Sequence, residues 1–339
     1  MPFVAQKASR EEHTMRRGLF LTIFAAILLA SGVCHGQSAT PYPTRQVRIV
    51  VPYPAGGPTD LIARLIAQKL GERLGQSFFV ENVAGASGAV GAGQVAHAAP
   101  DGYTLLVSTN DFAVASVTNT NLPYDPVKNF APVSLIATSP QVVAVNPSVP
   151  AKTMKELVDL IKAAPEKYNY AAIGIGFGQL TSERLFKLAL KLDGLVRVPF
   201  NGAAPAVNAT LAGDTQIIFL ALPPIAPYLS ADKLRALAVT SPARTPAFPQ
   251  IPTLREAGIP DQEADLINGM VAPAGTPPEI IALLQKQIAE IVQLPDFKAT
   301  LDKLSFQPVG STSAQFADQI KNDIVVWSKV MKDANIPVN

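Results

Sequence analysis

Short apolar runs alternate along this chain with longer stretches in which hydrophobic positions recur every three or four residues. Val47 to Val51 is β-branched apart from one charge, Arg48, and that enrichment predicts a strand. Leu61 to Leu74 carries the helical period, and Phe78 to Glu81 and Tyr103 to Ser108 read as further strands. The alternation predicts βαβ units around a largely parallel sheet. It resumes with Val142 to Val145, the helix Met154 to Ala164, Tyr168 to Ile173, the helix Ser182 to Leu190, and Val196 to Phe200. A short helix, Ala206 to Leu211, leads to the strands Gln216 to Leu220 and Leu234 to Thr240. Two α/β lobes fit this number of strands better than one sheet. The C-terminal third is mainly helical, with Pro278 to Val292, Phe297 to Leu304 and Ala314 to Lys332, and is expected to pack on the first lobe. The 30 prolines fall largely between these elements, as in Pro123 to Pro126, Pro223-Pro224 and Pro242 to Pro252. There they end helices and stiffen connections.

The first segment stands apart from this pattern. Arg16 and Arg17 precede an apolar run from Leu19 to Ala30 that is followed by small and polar residues, which predicts a secretory leader over residues 1–36 and a periplasmic mature protein. The run is shorter than the roughly 20 apolar residues a membrane span needs. Met15 is an alternative start, and Arg16-Arg17 leaves export by the general or the twin-arginine route open. Ser31-Gly32-Val33 before Cys34 is a poor lipidation signal.

With 48% hydrophobic and 16% charged residues, the chain can bury a sizeable core. Removing residues 1–36 takes away Lys7, Arg10, Arg16 and Arg17 against Glu11 and Glu12, leaving the mature part electrically balanced. No basic face then argues for nucleic acid. The same cut removes Cys34, His13 and His35, so His97 is the one remaining histidine and no cysteine is left. Disulfides, thiol nucleophiles and cysteine–histidine zinc sites are thereby excluded from the mature protein. No Gly-x-Ser-x-Gly elbow is present. Asp101, Asp111 and Asp125 show no metal-loop spacing. No catalytic residue, metal or cofactor is assigned, and the chain is not read as an enzyme.

Three glycine-rich stretches remain. Val50 to Asp60 runs Val-Val-Pro-Tyr-Pro-Ala-Gly-Gly-Pro-Thr-Asp, from a strand into a helix. Helix N-terminal amides lack intrahelical partners, so Gly56 and Gly57 let a carboxylate approach them closely. The competing reading is a tight turn with Thr59 or Asp60 as a cap. Gly91 to Ala96 nominally matches a dinucleotide fingerprint, but it follows a polar loop where that fingerprint needs a strand. Gly174 to Gln179 lies between a strand and a helix, and it could face the first loop across a cleft or be a plain connection.

Many short motifs occur in one order along the mature chain: Tyr42-Pro43, Val51 to Asp60, Glu81-Asn82, Gly85 to Gly91, Ala99 to Leu106, Leu122 to Pro126 and Asn129 to Val133. They continue with Val198 to Phe200, Leu234 to Thr240, Ile251 to Thr253, Glu256 to Gly258 and Ala272 to Pro277. In this order they resemble the Bug family, the extracytoplasmic solute receptors of tripartite tricarboxylate transporters, from Tyr42 to about Asn335.

The resemblance implies an α/β, two-lobed periplasmic-binding-protein fold of type II character with a ligand cleft between the lobes. Residues 37–140 plus 267–339 would form the first lobe and 141–266 the second, with crossings near Pro140 and Ile267. It also implies a monomer that captures a small carboxylated molecule for membrane permease subunits. A periplasmic sensor subunit for a signalling partner would need the same cleft. The first-lobe contacts would come from Tyr53, Ala55, Gly56, Gly57, Thr59 and Asp60, with Thr109 and Asn110 beside them. Gly176, Phe177, Gly178, Gln179, Asn201, Ala203 and Leu220 would complete the site.

Two stretches depart from the family pattern. Gly176-Phe177-Gly178-Gln179-Leu180 stands where many relatives carry hydroxyls and a histidine, and Leu220 stands where many carry an acid. If Phe177, Leu180 and Leu220 line the distal wall, the ligand has one carboxylate and an aromatic or aliphatic remainder. Gln179 or Asn201 would then add at most one distal hydrogen bond. If those side chains turn into the lobe's core, backbone and water contacts set the specificity instead.

Overall fold

Val47, Ile49, Val50 and Val51 are wholly buried, so the first strand, β1 (Val47–Val51), is covered on both faces, as its apolar run requires. The computed structural model describes residues 42–173 and 176–337, and from Pro43 onward the chain folds as one unit. The leader expected over 1–36 lies outside the described residues, as do Gly174 and Ile175.

After β1 come α1 (Pro58–Leu74), β2 (Phe78–Asn82), α2 (Ala89–Ala96), β3 (Thr104–Ser108), α3 (Asp111–Thr118) and the long β4 (Phe130–Ser139). The chain passes through Pro140 into β5 (Gln141–Val145), α4 (Met154–Ala163), β6 (Asn169–Ile173) and α5 (Phe177–Ser182), which runs on into a π-helical stretch, Glu183–Ala189. Next are β7 (Val196–Phe200), α6 (Ala203–Ala212), β8 (Ile217–Ala221), α7 (Leu222–Ser230) and β9 (Arg235–Val239). It returns as β10 (Leu266–Pro273) and ends with α8 (Pro278–Ile291), α9 (Pro295–Lys303), β11 (Gln307–Pro308) and α10 (Ser313–Asp333).

These strands make two sheets, ordered β11-β4-β10-β3-β1-β2 and β7-β6-β8-β5-β9. Both are mixed, where the alternating pattern predicts a largely parallel arrangement. β1 pairs in parallel with β2 and β3, but β10 runs antiparallel to β3 and β4. β6 pairs in parallel with β7 and β8, but β5 runs antiparallel to β8 and β9. The antiparallel strands β4 and β10 escape the sequence pattern for a local reason. Pro132 and Ser134 interrupt β4, Asn268-Gly269 interrupts β10, and the register slips at Asn268/Gly269 and Met270/Val271. A Cβ on Gly269 would lie 2.1 Å from Phe316, so the glycine lets α10 press on the sheet.

Three helix starts also differ from the pattern. α1 begins at Pro58, because proline is preorganised for the first helical position. α5 begins at Phe177, five residues before the expected Ser182. The Pro223-Pro224 pair lies in the first turn of α7 rather than between elements.

Parallel pairing decides where the loops gather. The turns after β1 and β3 leave the same edge of the first sheet, and the turns after β6, β7 and β8 leave the same edge of the second. In α/β sheets such carboxyl-end crevices are where ligands bind. The two sheets connect directly at Pro140 and again through residues 240–265. There the Gln141 amide donates to Thr240 Oγ1 at 2.9 Å, and Gln141 Nε2 donates to Ala264 O at 3.1 Å. A buried cluster of Val114, Phe177, Leu180, Ala264, Trp327, Val330 and Met331 joins α3, α5 and α10 beside these crossings.

Candidate functional site

The β1–α1 turn is shaped by one buried carboxylate. Asp60 Oδ2 accepts from the Gly56 amide at 2.9 Å and from Arg64 Nε at 2.9 Å, while Oδ1 accepts from Asn82 Nδ2 at 2.9 Å. Asn82 Nδ2 also donates to Tyr53 O at 3.1 Å, and its Oδ1 accepts from Arg64 Nη2 at 3.0 Å. Burial pushes the Asp60 carboxyl up, but the bonds from Arg64, Gly56 and Asn82 outweigh that and hold it below its usual value. Asp60 is therefore not free to meet a ligand. It does not cap α1 as the competing reading of this loop expects, but by accepting from the Gly56 amide it pins the turn that precedes the helix.

Pinning leaves the rest of the turn open. Pro54, Ala55 and Gly56 are exposed. Gly57 is the N-cap, with no side-chain cap bond, and the first helical bond runs from the Leu61 amide to Gly57 O at 3.1 Å. None of the described residues accepts from the amides of Gly57, Thr59 and Asp60. These are the donors that a helix start leaves unpaired. The left-handed residue is Gly56, at φ +80, whereas Gly57 is extended at φ −73.

The β3–α3 turn sits beside this loop. Tyr53 Oη lies 2.8 Å from Thr109 Oγ1 and 3.2 Å from Ser108 Oγ. Burial, with the nearby Asp111 carboxylate, pushes the Tyr53 hydroxyl's pKa up, so it stays a neutral donor and acceptor. Asn110, expected as a ligand contact, is spent on the fold. Its Oδ1 accepts from the Ile267 amide at 2.9 Å and its Nδ2 donates to Asp323 Oδ2 at 3.2 Å. That ties β3 to β10 and α10.

Asp111 then crosses to the second sheet's lobe, where its Oδ1 accepts from the Phe177 amide at 2.8 Å. The approach requires glycine at 176, because a Cβ there would lie 2.5 Å from Asp111 Oδ1 and the backbone is at φ +122. The sequence reading weighed Asp111 only as a metal ligand and assigned it no role; the available signal was its place just past a predicted strand end.

On the second lobe the expected apolar wall is not built. The Phe177 ring, 3% exposed, packs edge-on against Trp327 at 5.2 Å between centroids. Leu180 is wholly buried in the same cluster. Leu220, 4% exposed, joins Val142, Ala144 and Ile218 in the core under α6 and α7. Alternation along β8 sends Phe219 to one face and Leu220 to the other, and helices cover both. What remains toward the loop edge is the backbone of Gly176 and Gly178, the half-buried Gln179, the exposed Asn201 after β7, and Ala203 at the start of α6. Among the described residues no side-chain group of three or more potential ligands could hold a metal. His97 Nδ1 lies 2.8 Å from Gly93 O at the end of α2, a local structural contact.

The model of the tripartite tricarboxylate transporter family receptor matches residues 62–336. This chain belongs to that family. Protein BugT of Bordetella pertussis is 32% identical over 318 residues, covering 92% of this chain and 96% of that protein. The solved structure of R. palustris Rpa4515 with adipate is 34% identical, with a TM-score of 0.80 over 87% of this chain and 98% of that one. MatC from Rhodopseudomonas palustris with bound malate is 33% identical, with a TM-score of 0.74 over 85% of this chain and 99% of that one. The family consists of solute-binding receptors, not enzymes, and its fold is the α/β periplasmic binding fold described above. In this chain Phe177 and Leu220 belong to the core, and Asp111 reaches from the first lobe to the Phe177 amide of the second.

Proposed function

We propose that this chain is exported to the periplasm, captures a small organic carboxylate where the loop edges of its two sheets meet, and presents it to the permease subunits of a tripartite tricarboxylate-type transporter. One observation carries the reading. The Pro54–Gly57 turn, pinned by Asp60, leaves the amides of Gly57 and Thr59 open at the start of a 17-residue helix. A carboxylate there gains about 0.3–2 kcal/mol from the helix dipole, besides hydrogen bonds worth roughly 1.5–3 kcal/mol each. Thr109 on the first lobe, and Gln179, Asn201 and the Ala203 backbone on the second, are the remaining polar contacts. Family membership and the adipate and malate bound in related structures support the choice of a carboxylate.

The test is a thermal-shift and calorimetry panel of carboxylates against their neutral amides. Stabilisation by at least one carboxylate and not by its amide is expected. A panel in which no carboxylate binds below about 1 mM, a binding free energy of roughly −4 kcal/mol, would remove the reading.

A further inference from the structure

We infer that Asp111 is the specificity-determining residue of this receptor, selecting a monocarboxylate whose other end carries a protonated amine and rejecting dicarboxylates. The inference rests on the carboxylate-receptor reading above and deepens it.

Three observations carry it. First, Asp111 stands where the loop edges of the two lobes meet. It opens α3 on the first lobe, its Oδ1 accepts from the Phe177 amide on the second, and Thr109 links it to Tyr53 at the start of the β1–α1 turn. Asp111 is therefore linked through the Thr109 and Tyr53 hydroxyls to the residue that enters the β1–α1 turn, whose helix-start amides are the proposed carboxylate donors.

Second, the acid is under-compensated. Among the described residues, Oδ2 has only a 3.4 Å contact with Thr109 Oγ1. No lysine or arginine among the described residues pairs with Asp111, although its surroundings are dry enough for burial to push its pKa up. A desolvated carboxylate with an unused lone pair and no counter-cation favours a ligand that brings the cation.

Third, the second lobe's open amide is already taken. The Phe177 N–H at the start of α5 would be the natural partner for a ligand's second carboxylate, and Asp111 occupies it. A dicarboxylate would meet a like charge in place of a donor. Gly176 maintains the arrangement, since a Cβ there would collide with Oδ1.

Calorimetry on the purified full chain tests this with β-alanine, 4-aminobutyrate and L-alanine against succinate, adipate, L-malate and benzoate, for the wild type, Asp111→Asn and Gly176→Ala. The amine-bearing monocarboxylates are expected to bind at least tenfold more tightly than dicarboxylates of similar length. Asp111→Asn should erase that preference, and Gly176→Ala, which displaces the carboxylate, should weaken it. If Asp111→Asn does not melt cooperatively, Gly176→Ala and the wild-type panel decide. Equal or tighter binding of dicarboxylates, binding of benzoate alone, or a preference unchanged in both variants overturns the inference and leaves the receptor reading standing. Failure of every carboxylate to bind removes both.

Discussion

Asp60 Oδ2 accepts from the Gly56 amide 2.9 Å away, so a residue inside the first turn of α1 reaches back to fix the loop that precedes it. The acid is 2% exposed and meets three separate donors. Its carboxylate thus sets the backbone, while among the described residues the amides of Gly57 and Thr59 stay unpaired.

Asp60→Ala should therefore destabilise the protein by about 1–3 kcal/mol, the cost of leaving such donors unpaired, and should weaken carboxylate binding through loss of loop geometry. Urea unfolding and calorimetry measure the two effects. Because the Asp60 carboxyl is held below its usual value, its contribution is present above the ordinary aspartate range and is lost as pH falls through the lowered value. With Asp111 removed from the titration by Asp111→Asn, carboxylate affinity should accordingly persist at pH 5, and a sharp fall between pH 7 and 5 in that variant would contradict this role.

Gly56 and Gly57 should respond differently to substitution. The sequence treats the two glycines alike, but the positive φ belongs to Gly56 alone. Gly56→Val should cost about 1–2 kcal/mol of backbone strain and reduce carboxylate affinity about tenfold. Gly57→Ala, where the new Cβ meets only Pro54 O at 3.4 Å, should bind nearly as the wild type does. Equal effects in parallel titrations would place the strain elsewhere.

Trp327 is the chain's one tryptophan, and it packs against Phe177 at 5.2 Å with the Arg184 guanidinium 5.7 Å from its ring. Phe177→Ala should cost roughly 3–5 kcal/mol as a core cavity and shift tryptophan emission to the red. A surface-like loss under 1 kcal/mol, with emission unchanged, would mean that the ring does not belong to the core.

Asp265 lies in the second crossing between the sheets, and burial pushes its carboxyl up to about 6 despite the bond from Thr240. A raised folded value makes its contribution to stability complete below the unfolded value near 4 and lost as pH rises through about 6. Asp265→Asn should flatten the stability curve between pH 5 and 7, by on the order of 2 kcal/mol. Urea midpoints across that range measure it, and a variant curve parallel to the wild type would rule the effect out.

What the sequence determined by itself was local. β1 and β7 match their predicted bounds residue for residue; for β1 the reason is that a β-branched run covered on both faces has no competing periodicity. The Gly-Gly-Pro-Thr-Asp turn was legible as a helix start because its contacts are local, with proline at the first helical position and Asp60 reaching back four residues to the Gly56 amide. The family was legible too, from the order of many short motifs.

Tertiary structure alone decided which groups are buried and which remain at the loop edges. Phe177 and Leu220 stand in elements covered on more than one side, so sequence position could not tell wall from core. Packing against Trp327 settled the first, and burial under α6 and α7 settled the second. Asn110 read as a free polar residue until β10 and α10 claimed both ends of its amide. Asp111 meets the Phe177 amide 66 residues away, and no local pattern encodes a contact made only when two sheets present their loop edges to each other.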